Sequence, residues 1–318
     1  MKQLESTVLA VDIGGTKLET ALVGSDGSIQ PGSRQRRLTG PNSDPNEIEN
    51  RLSDAIALTL ASARGPVAGA GIGSAGPVDL VAGTSNPHNM PALRGFRVKE
   101  IVESASQLRA TLRLDGTCIA LAEYWTGTTR GSATSMALVV STGVGGGIIA
   151  NGQLISGASG NAGHLGQIHV ACDETGDAES STLEAVASGP ATVRWARSRG
   201  WLGDTGEQLA QALDDGDPIA DAATRRSAFF VGQAIASAAT LLDLEVVTIG
   251  GGFVNVRPDY VDLVRSSVVT NSIFEYAQRV RIVPSGHAGD GPLLGAAALQ
   301  YCADVLGHAG RADNALVS

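Results

Sequence analysis

One supersecondary pattern occurs twice in this chain, and it narrows the folds open to it. Val8–Ile13 is an apolar, β-branched run, and it leads into the turn Gly14-Gly15-Thr16-Lys17. A second apolar strand follows at Leu18–Val23, and Ser25-Asp26-Gly27 turns it toward a third. The order returns later. Met136–Val140 reads as a buried strand, Ser141–Gly147 as a glycine-rich turn and Ile148–Ala150 as a strand. Asn151-Gly152 is a hairpin signal, and Gln153–Ile155 is the third strand. Two α/β halves, each led by a hairpin with a glycine turn, predict two similar domains facing across a cleft. Ligands of such sheets bind at the strand ends. The expected division is 1–117, with a helix from about 293 to 318 packing back on it, and 118–292.

The remaining elements fit this plan. Ile48, Leu52, Ile56 and Leu60 give Ile48–Ala63 helical spacing, and Val67–Gly73 reads as a strand. Gly76–Arg94, rich in Pro, Gly and Asn, predicts a long loop of the kind that often carries function. Val98–Leu108 reads as a helix and Leu112–Asp115 as a short strand end. Leu183–Arg199 is helical with a break at Gly189-Pro190, and Arg225–Leu242, Tyr260–Val269 and Leu293–Val305 are further helices. Val246–Ile249 is a buried strand ending in Gly250-Gly251-Gly252.

Composition excludes several classes. Glycine supplies 41 of 318 residues, with no collagen-like period, so its clusters suggest close backbone approach to a ligand. A net charge of −9 argues against nucleic acid or an anionic membrane as the main partner. Cys118, Cys172 and Cys302 are far apart, which predicts reduced thiols in a cytoplasmic protein rather than a disulfide framework. No apolar run resembles a signal peptide or approaches the ~20 residues of a membrane span.

Three glycine turns carry the chemistry. In Asp12–Lys17 two glycines admit a phosphate to the backbone, and the Thr16 hydroxyl and turn N–H groups can donate to it. Asp12 suits Mg²⁺ or its water shell, since a carboxylate repels phosphate. The spacing is not that of a P-loop. Ser141–Gly147, with Thr142, Gly143, Gly145 and Gly146, offers successive open N–H groups for a second phosphate, and Gly251 and Gly252 suit a flat group such as adenine. Asp115, at a strand end, is placed to take a hydroxyl proton. His164 and Gln167 lie on a glycine-framed turn that suits hydrogen bonds to a polyol better than a metal.

Together these residues resemble the ROK family of repressors, open reading frames and sugar kinases over nearly the whole chain. Asp12–Lys17 and Ser141–Gly147 match its two phosphate loops. Leu114-Asp115 with Glu123 matches the segment of its catalytic base, and Ala162–Gln167 matches its Ala-Gly-Glu-x-Gly-His motif. Leu183-Glu184-Ala185, Ala187–Gly189, Ile249–Gly252 and Leu294–Ala297 complete the set. The resemblance implies the actin-like ATPase (RNase H-like) fold, ATP and Mg²⁺ as cofactors, and a homodimer. It also implies an acceptor site of Ser74, Asn89, Asp115, His164, Gln167 and Glu184.

The departures concern the acceptor. Leu114 replaces an Asn, His164 the sugar-binding Glu, and Gln167 the His that binds both sugar and zinc. The cysteine-rich zinc loop becomes Cys172–Asp177 with one cysteine, so no zinc is expected. Both phosphate loops and the base remain, which implies altered substrate choice rather than lost catalysis. The expected reaction is transfer of the γ-phosphoryl group of ATP to a primary hydroxyl. A C7-cyclitol of aminocyclitol biosynthesis is the first expectation for the acceptor. A hexose or N-acetylhexosamine is the alternative, and a non-catalytic sugar sensor a distant third. A repressor is disfavoured by the acidic balance and by a phosphate loop that begins at Asp12.

Overall fold

Strand alternation decides what each face of the first sheet meets. In β1 (Thr7–Ile13) Leu9, Val11 and Ile13 point one way, and Val8, Ala10 and Asp12 the other. The first set joins Leu18 and Leu22 of β2 (Lys17–Val23) in a core under α1 (Pro45–Ala61) and α2 (Val98–Ser106). The second set joins Ala21 and Val23 beneath α3 (Asp115–Trp125) and the C-terminal helix Gly291–Tyr301. The computed structural model describes residues 6–40, 43–87, 90–170, 180–287 and 289–307. Its first sheet has the order β3-β2-β1-β4-β5, with β3 at Gln35–Leu38, β4 at Val67–Ser74 and β5 at Ala110–Leu114. β1, β4 and β5 run parallel, and β2 and β3 are antiparallel additions.

The second sheet repeats the theme. β6 (Ser135–Val140) and β7 (Val144–Ala150) form a hairpin, and β8 (Val246–Gly250) and β9 (Arg281–Pro284) run parallel to β6. One apolar core joins this sheet to α4 (Leu183–Ala187), α5 (Gly189–Ser198), α6 (Gly206–Asp214), α7 (Pro218–Leu242) and α8 (Tyr260–Asn271). Ser188 ends α4 and caps α5 through its hydroxyl, which realises the break expected at Gly189-Pro190.

Contacts divide the chain into two compact units. One comprises 1–130, 152–163 and 290–318, and the other 131–151 and 164–289. α3 stays in the first unit because it packs on the C-terminal helix, so that unit runs to Arg130 rather than ending at 117. A glycine stands at each of the four crossings: Gly131, Gly152, Gly163 and Gly289.

Several elements differ from the sequence expectations. The third strand of the first unit comes at Gln35–Leu38, after further turns, not directly after Gly27. Asp115 opens a helix rather than ending a strand. α3 is buried on every side over Gly116–Glu123, so it shows no amphipathic period. Gly145, Gly146 and Gly147 lie within β7, paired with Val139, Leu138 and Ala137, so the turn itself is only Ser141-Thr142-Gly143. α6, the first turns of α7 and β9 were not expected. No helix among the described residues is long and apolar enough to cross a membrane.

Candidate active site

In the first unit, register brings charges into one row. Asp12 lies opposite Glu19 of β2 on one side and Gly73 of β4 on the other. Glu19 lies opposite Arg36 of β3, and Gly73 opposite Arg113 of β5. In-register partners share a face of the sheet. The row therefore reads Arg36, Glu19, Asp12, a glycine gap, Arg113, on the face covered by α3 and the C-terminal helix. Both helices start at this level, α3 with Asp115 and the C-terminal helix just after Asp290. They sit close because Gly71 and Gly295 bring backbone against backbone: a Cβ on Gly71 would run into Ala296, and one on Gly295 into Cys118.

The cations are distributed unevenly along the row. Glu19 is buried and takes three of them: Lys17 Nζ, Arg34 Nε at 3.0 Å and Arg36 Nε at 2.9 Å. Arg34 also donates to Asp290 at 2.6 Å. Burial pulls the Glu19 carboxyl up, but its bonds to Lys17, Arg36 and Arg34 outweigh this and hold it below the ordinary glutamate value. Asp12 is 5% exposed, and no described side chain donates to it. Burial first, and the Asp115 carboxylate second, push Asp12 up to about 8. The Cys118 thiol, buried beside both, is driven well above its ordinary value by burial and by the two carboxylates. A Cβ on Gly73 would lie 3.1 Å from that sulfur and 3.7 Å from Asp12 Oδ1, so the glycine leaves space beside Asp12. Lys17 and Arg34 pull Asp12 down only through space, their bonds going to Glu19, and a buried carboxyl beside a second carboxylate suits a divalent ion with oxygen ligands, so Asp12 fits the Mg²⁺ role.

The Gly14–Lys17 turn is braced from β3. Thr39 donates through its N–H to Thr16 O at 3.1 Å and through its hydroxyl to Gly14 O at 2.9 Å. No described residue lies within 4 Å of a Cβ on Gly15, so among the described residues its outer side is open. The Lys17 ammonium, expected at a phosphate, is held by Glu19. Ser74 pairs with Ile13 and so shares that residue's face, not the face of Asp12, and its hydroxyl bonds Ala75 O at 3.2 Å. Asp115 Oδ1 accepts from Gly116 N at 2.7 Å, at the first turn of α3. Asn89 and Cys172–Asp177 lie outside the described residues.

In the second unit one carboxylate organises the turn. Glu184, in the first turn of α4, accepts Val144 N at 2.9 Å through Oε2 and the Gln167 amide at 3.4 Å through Oε1. A Cβ on Gly143 would sit 2.6 Å from Glu184 Oε2. Gly143 O accepts Ser141 N at 2.9 Å, which closes the turn around Thr142. His164 is half-buried and Gln167 exposed, at the two ends of one short helical turn, with Gln167 N donating to His164 O at 2.9 Å. Gly251 has φ +101° beneath the Val140 backbone, a packing reason for glycine there, and Gly252 opens the next turn. No described residue lies within 4 Å of a Cβ on Gly145.

Sequence reasoning missed Glu19, Arg34, Arg36, Arg113 and Cys118. The period of two in Lys17-Leu18-Glu19 was the available signal for Glu19, since it places Glu19 on the Lys17 face.

Comparison with known proteins follows the same outline. The ROK family model matches residues 8–301. N-acetylmannosamine kinase of Escherichia coli O6:H1 is 32% identical over 291 residues, covering 91% of this chain and 96% of the relative. N-acetylmannosamine kinase of Shigella boydii serotype 18 is 33% identical over 301 residues, covering 92% and 98%. Among solved structures, a glucokinase from Streptomyces griseus in complex with glucose and AMPPNP is 28% identical with a TM-score of 0.79. That match covers 92% of this chain and 99% of the glucokinase. The fold is the actin-like ATPase fold of sugar kinases.

Proposed function

The chain belongs to the ROK family and is a sugar kinase, an ATP-dependent phosphotransferase with a sugar hydroxyl as acceptor, and we propose that this acceptor is an N-acetylhexosamine. N-acetylmannosamine is the leading candidate, phosphorylated on its primary hydroxyl. The observation that carries this reading is the likeness, above 30% identity and over nine-tenths of the chain, to N-acetylmannosamine kinases. It favours the N-acetylhexosamine alternative over the C7-cyclitol acceptor, which has no counterpart among these relatives. The residues agree in chemistry. A ring hydroxyl donates to a glutamate, whereas an imidazole can also donate, so His164 suits the carbonyl of an N-acyl group. Gln167 offers an amide donor on the same turn and is steadied by Glu184.

In this reading Asp115 takes the proton of the acceptor hydroxyl as its oxygen attacks the γ-phosphorus. Asp12 holds Mg²⁺, which when bound neutralises phosphate charge. The Gly14–Thr16 and Ser141–Gly143 turns supply N–H donors to phosphate oxygens, with Gly145 leaving space beside the second turn. Gly251 and Gly252 border the adenine, and Asn89 and Glu184 complete the acceptor set. Zinc has no part, and elemental analysis of the purified protein is expected to find none in stoichiometric amount. One tightly bound zinc per chain would overturn that.

The test is ADP release with ATP and Mg²⁺ over N-acetylmannosamine, N-acetylglucosamine, glucose and a C7-cyclitol. N-acetylmannosamine is expected to give the highest kcat/KM. A cyclitol or glucose above both N-acetylhexosamines would overturn the acceptor, and no turnover with any of them would restore the sensor reading.

A further inference from the structure

Within the second unit, two arginines meet one indole ring. Trp195 of α5 and Arg199, which caps that helix, stand four residues apart and share a helix face. Arg226 and Phe230 share a face of α7 in the same way. The two pairs interleave where α5 packs on α7. The guanidinium carbon of Arg199 lies over the Trp195 ring at 5.1 Å, and that of Arg226 over the same ring at 5.5 Å and over the Phe230 ring at 4.8 Å. Arg226 is half-buried and gives one N–H to Val186 O at 2.8 Å, whereas Arg199 is exposed.

The charges of this ladder stand out from their surroundings. Acidic residues outnumber basic ones by nine in the chain, and three other arginines of this unit take a carboxylate. Arg197 pairs with Asp204, Arg225 with Asp221 at 2.8 Å, and Arg257 with Asp221 at 2.9 Å and Asp259 at 2.6 Å. No described carboxylate pairs with Arg199 or Arg226. Two like charges at one ring, one of them partly withdrawn from water, are unfavourable without an anion beside them. Burial, and after it the charge of Arg199, lower the Arg226 guanidinium below its ordinary value.

We propose that Arg199 and Arg226 form a binding site for a dianionic phosphate group, free or as a monoester, apart from the turns proposed to hold ATP. A guanidinium presents its N–H groups as a planar fork that matches phosphate oxygens two at a time, and two such charges match a dianion. Stacking on Trp195 and Phe230 holds the forks and adds flat apolar surface for the body of an ester. The Ser141–Gly143 turn lies at the other end of α5, where Ser141 O accepts Gly189 N at 2.9 Å. The ten residues of that helix put about 15 Å between the turn and Arg199.

The test is calorimetric titration of the protein, saturated with AMPPNP and Mg²⁺ at constant ionic strength, with inorganic phosphate and with N-acetylmannosamine 6-phosphate. At least one of the two is expected to bind with a Kd below about 1 mM. Arg199→Met and Arg226→Met, which keep the apolar stems, should each weaken that binding about tenfold or more, with AMPPNP affinity within twofold of wild type. If Arg226→Met does not fold, Arg199→Met, at an exposed helix end, carries the same expectation. Equal affinity for both anions would mean that the phosphate alone is read. Binding of the sugar phosphate alone would add contacts from its ring, and either result supports the site. A Kd above about 1 mM for both anions would overturn the proposal. So would binding that the variants leave unchanged, with only the melting temperature lowered, since the ladder would then be a structural stack.

Discussion

At the end of the β1–β2 hairpin the last two cross-strand pairs are Asp12 with Glu19 and Ile13 with Leu18. At the end of the β6–β7 hairpin they are Val139 with Gly145 and Val140 with Val144. The plan is shared and the chemistry is opposite. The first hairpin buries two carboxylates side by side, a pairing that is destabilising unless compensated. The hydrogen-bonded compensation goes to Glu19, which collects Lys17, Arg34 and Arg36, while Lys17 and Arg34 act on Asp12 only through space and no described side chain donates to it. The second hairpin carries no charge, and its one carboxylate, Glu184, comes from α4 to hold Val144 N. The first hairpin thus buries a carboxyl that is costly to ionise without a further cation. The second offers backbone and space. Changing a charge should therefore break the first, and adding a methyl group should break the second.

Asp115→Asn carries the largest expected effect. It keeps size and removes charge and basicity beside Asp12, so kcat should fall by about 10²–10⁴-fold with AMPPNP-induced stabilisation retained. A folded variant with near-normal kcat would remove Asp115 from the chemistry. Next come Gly15→Ala and Gly145→Ala, one in each hairpin. Neither new Cβ meets a described residue within 4 Å, so the melting temperature should hold while the ATP KM rises about tenfold. An unchanged ATP KM in one of them would mean that phosphate does not approach that hairpin.

Asp12→Asn sharpens the contrast without turnover. The folded carboxyl titrates near 8, far above its unfolded value, so the folded state keeps a proton that the unfolded state has lost. Stability from this group is complete below pH about 4 and is lost as pH rises through about 8. In EDTA, Asp12→Asn should be close to wild type in stability at pH 4 and melt several degrees higher at pH 8.5. Equal melting temperatures at both values would show that Asp12 is not held at a cost. Glu184→Gln, in the other unit, should show no such gain at high pH.

Much of the scaffold was legible because strand runs such as Val8–Ile13 and Val246–Ile249 are short, apolar and bounded by glycine. α3 was not, because a helix buried all round has no polar stripe to mark it. The short extent of the second turn was hidden for another reason. Gly145–Gly147 have the composition of a loop, but β6 supplies their ladder partners, and only tertiary context could show that. Within the proposed site, Asp12, Asp115, Glu184 and Gln167 were chosen from motif position. Glu19 and its cations were not, since Arg34 and Arg36 reach it only once β3 pairs with β2. Ser74 illustrates the reverse: a polar residue at a strand end, whose register with Ile13 sets it on the opposite face from Asp12.

In the proposed reading the charges of the first hairpin act on phosphate and do not distinguish one sugar from another, so acceptor choice falls to residues such as His164 and Gln167. Internal competition measures that choice most directly. With N-acetylmannosamine and glucose present in equal amounts and ATP limiting, the ratio of the two 6-phosphates by NMR equals the ratio of their kcat/KM values. At least a tenfold excess of N-acetylmannosamine 6-phosphate is expected, falling toward parity in His164→Glu. A product mixture dominated by glucose 6-phosphate, or a ratio that His164→Glu does not move, would contradict the account.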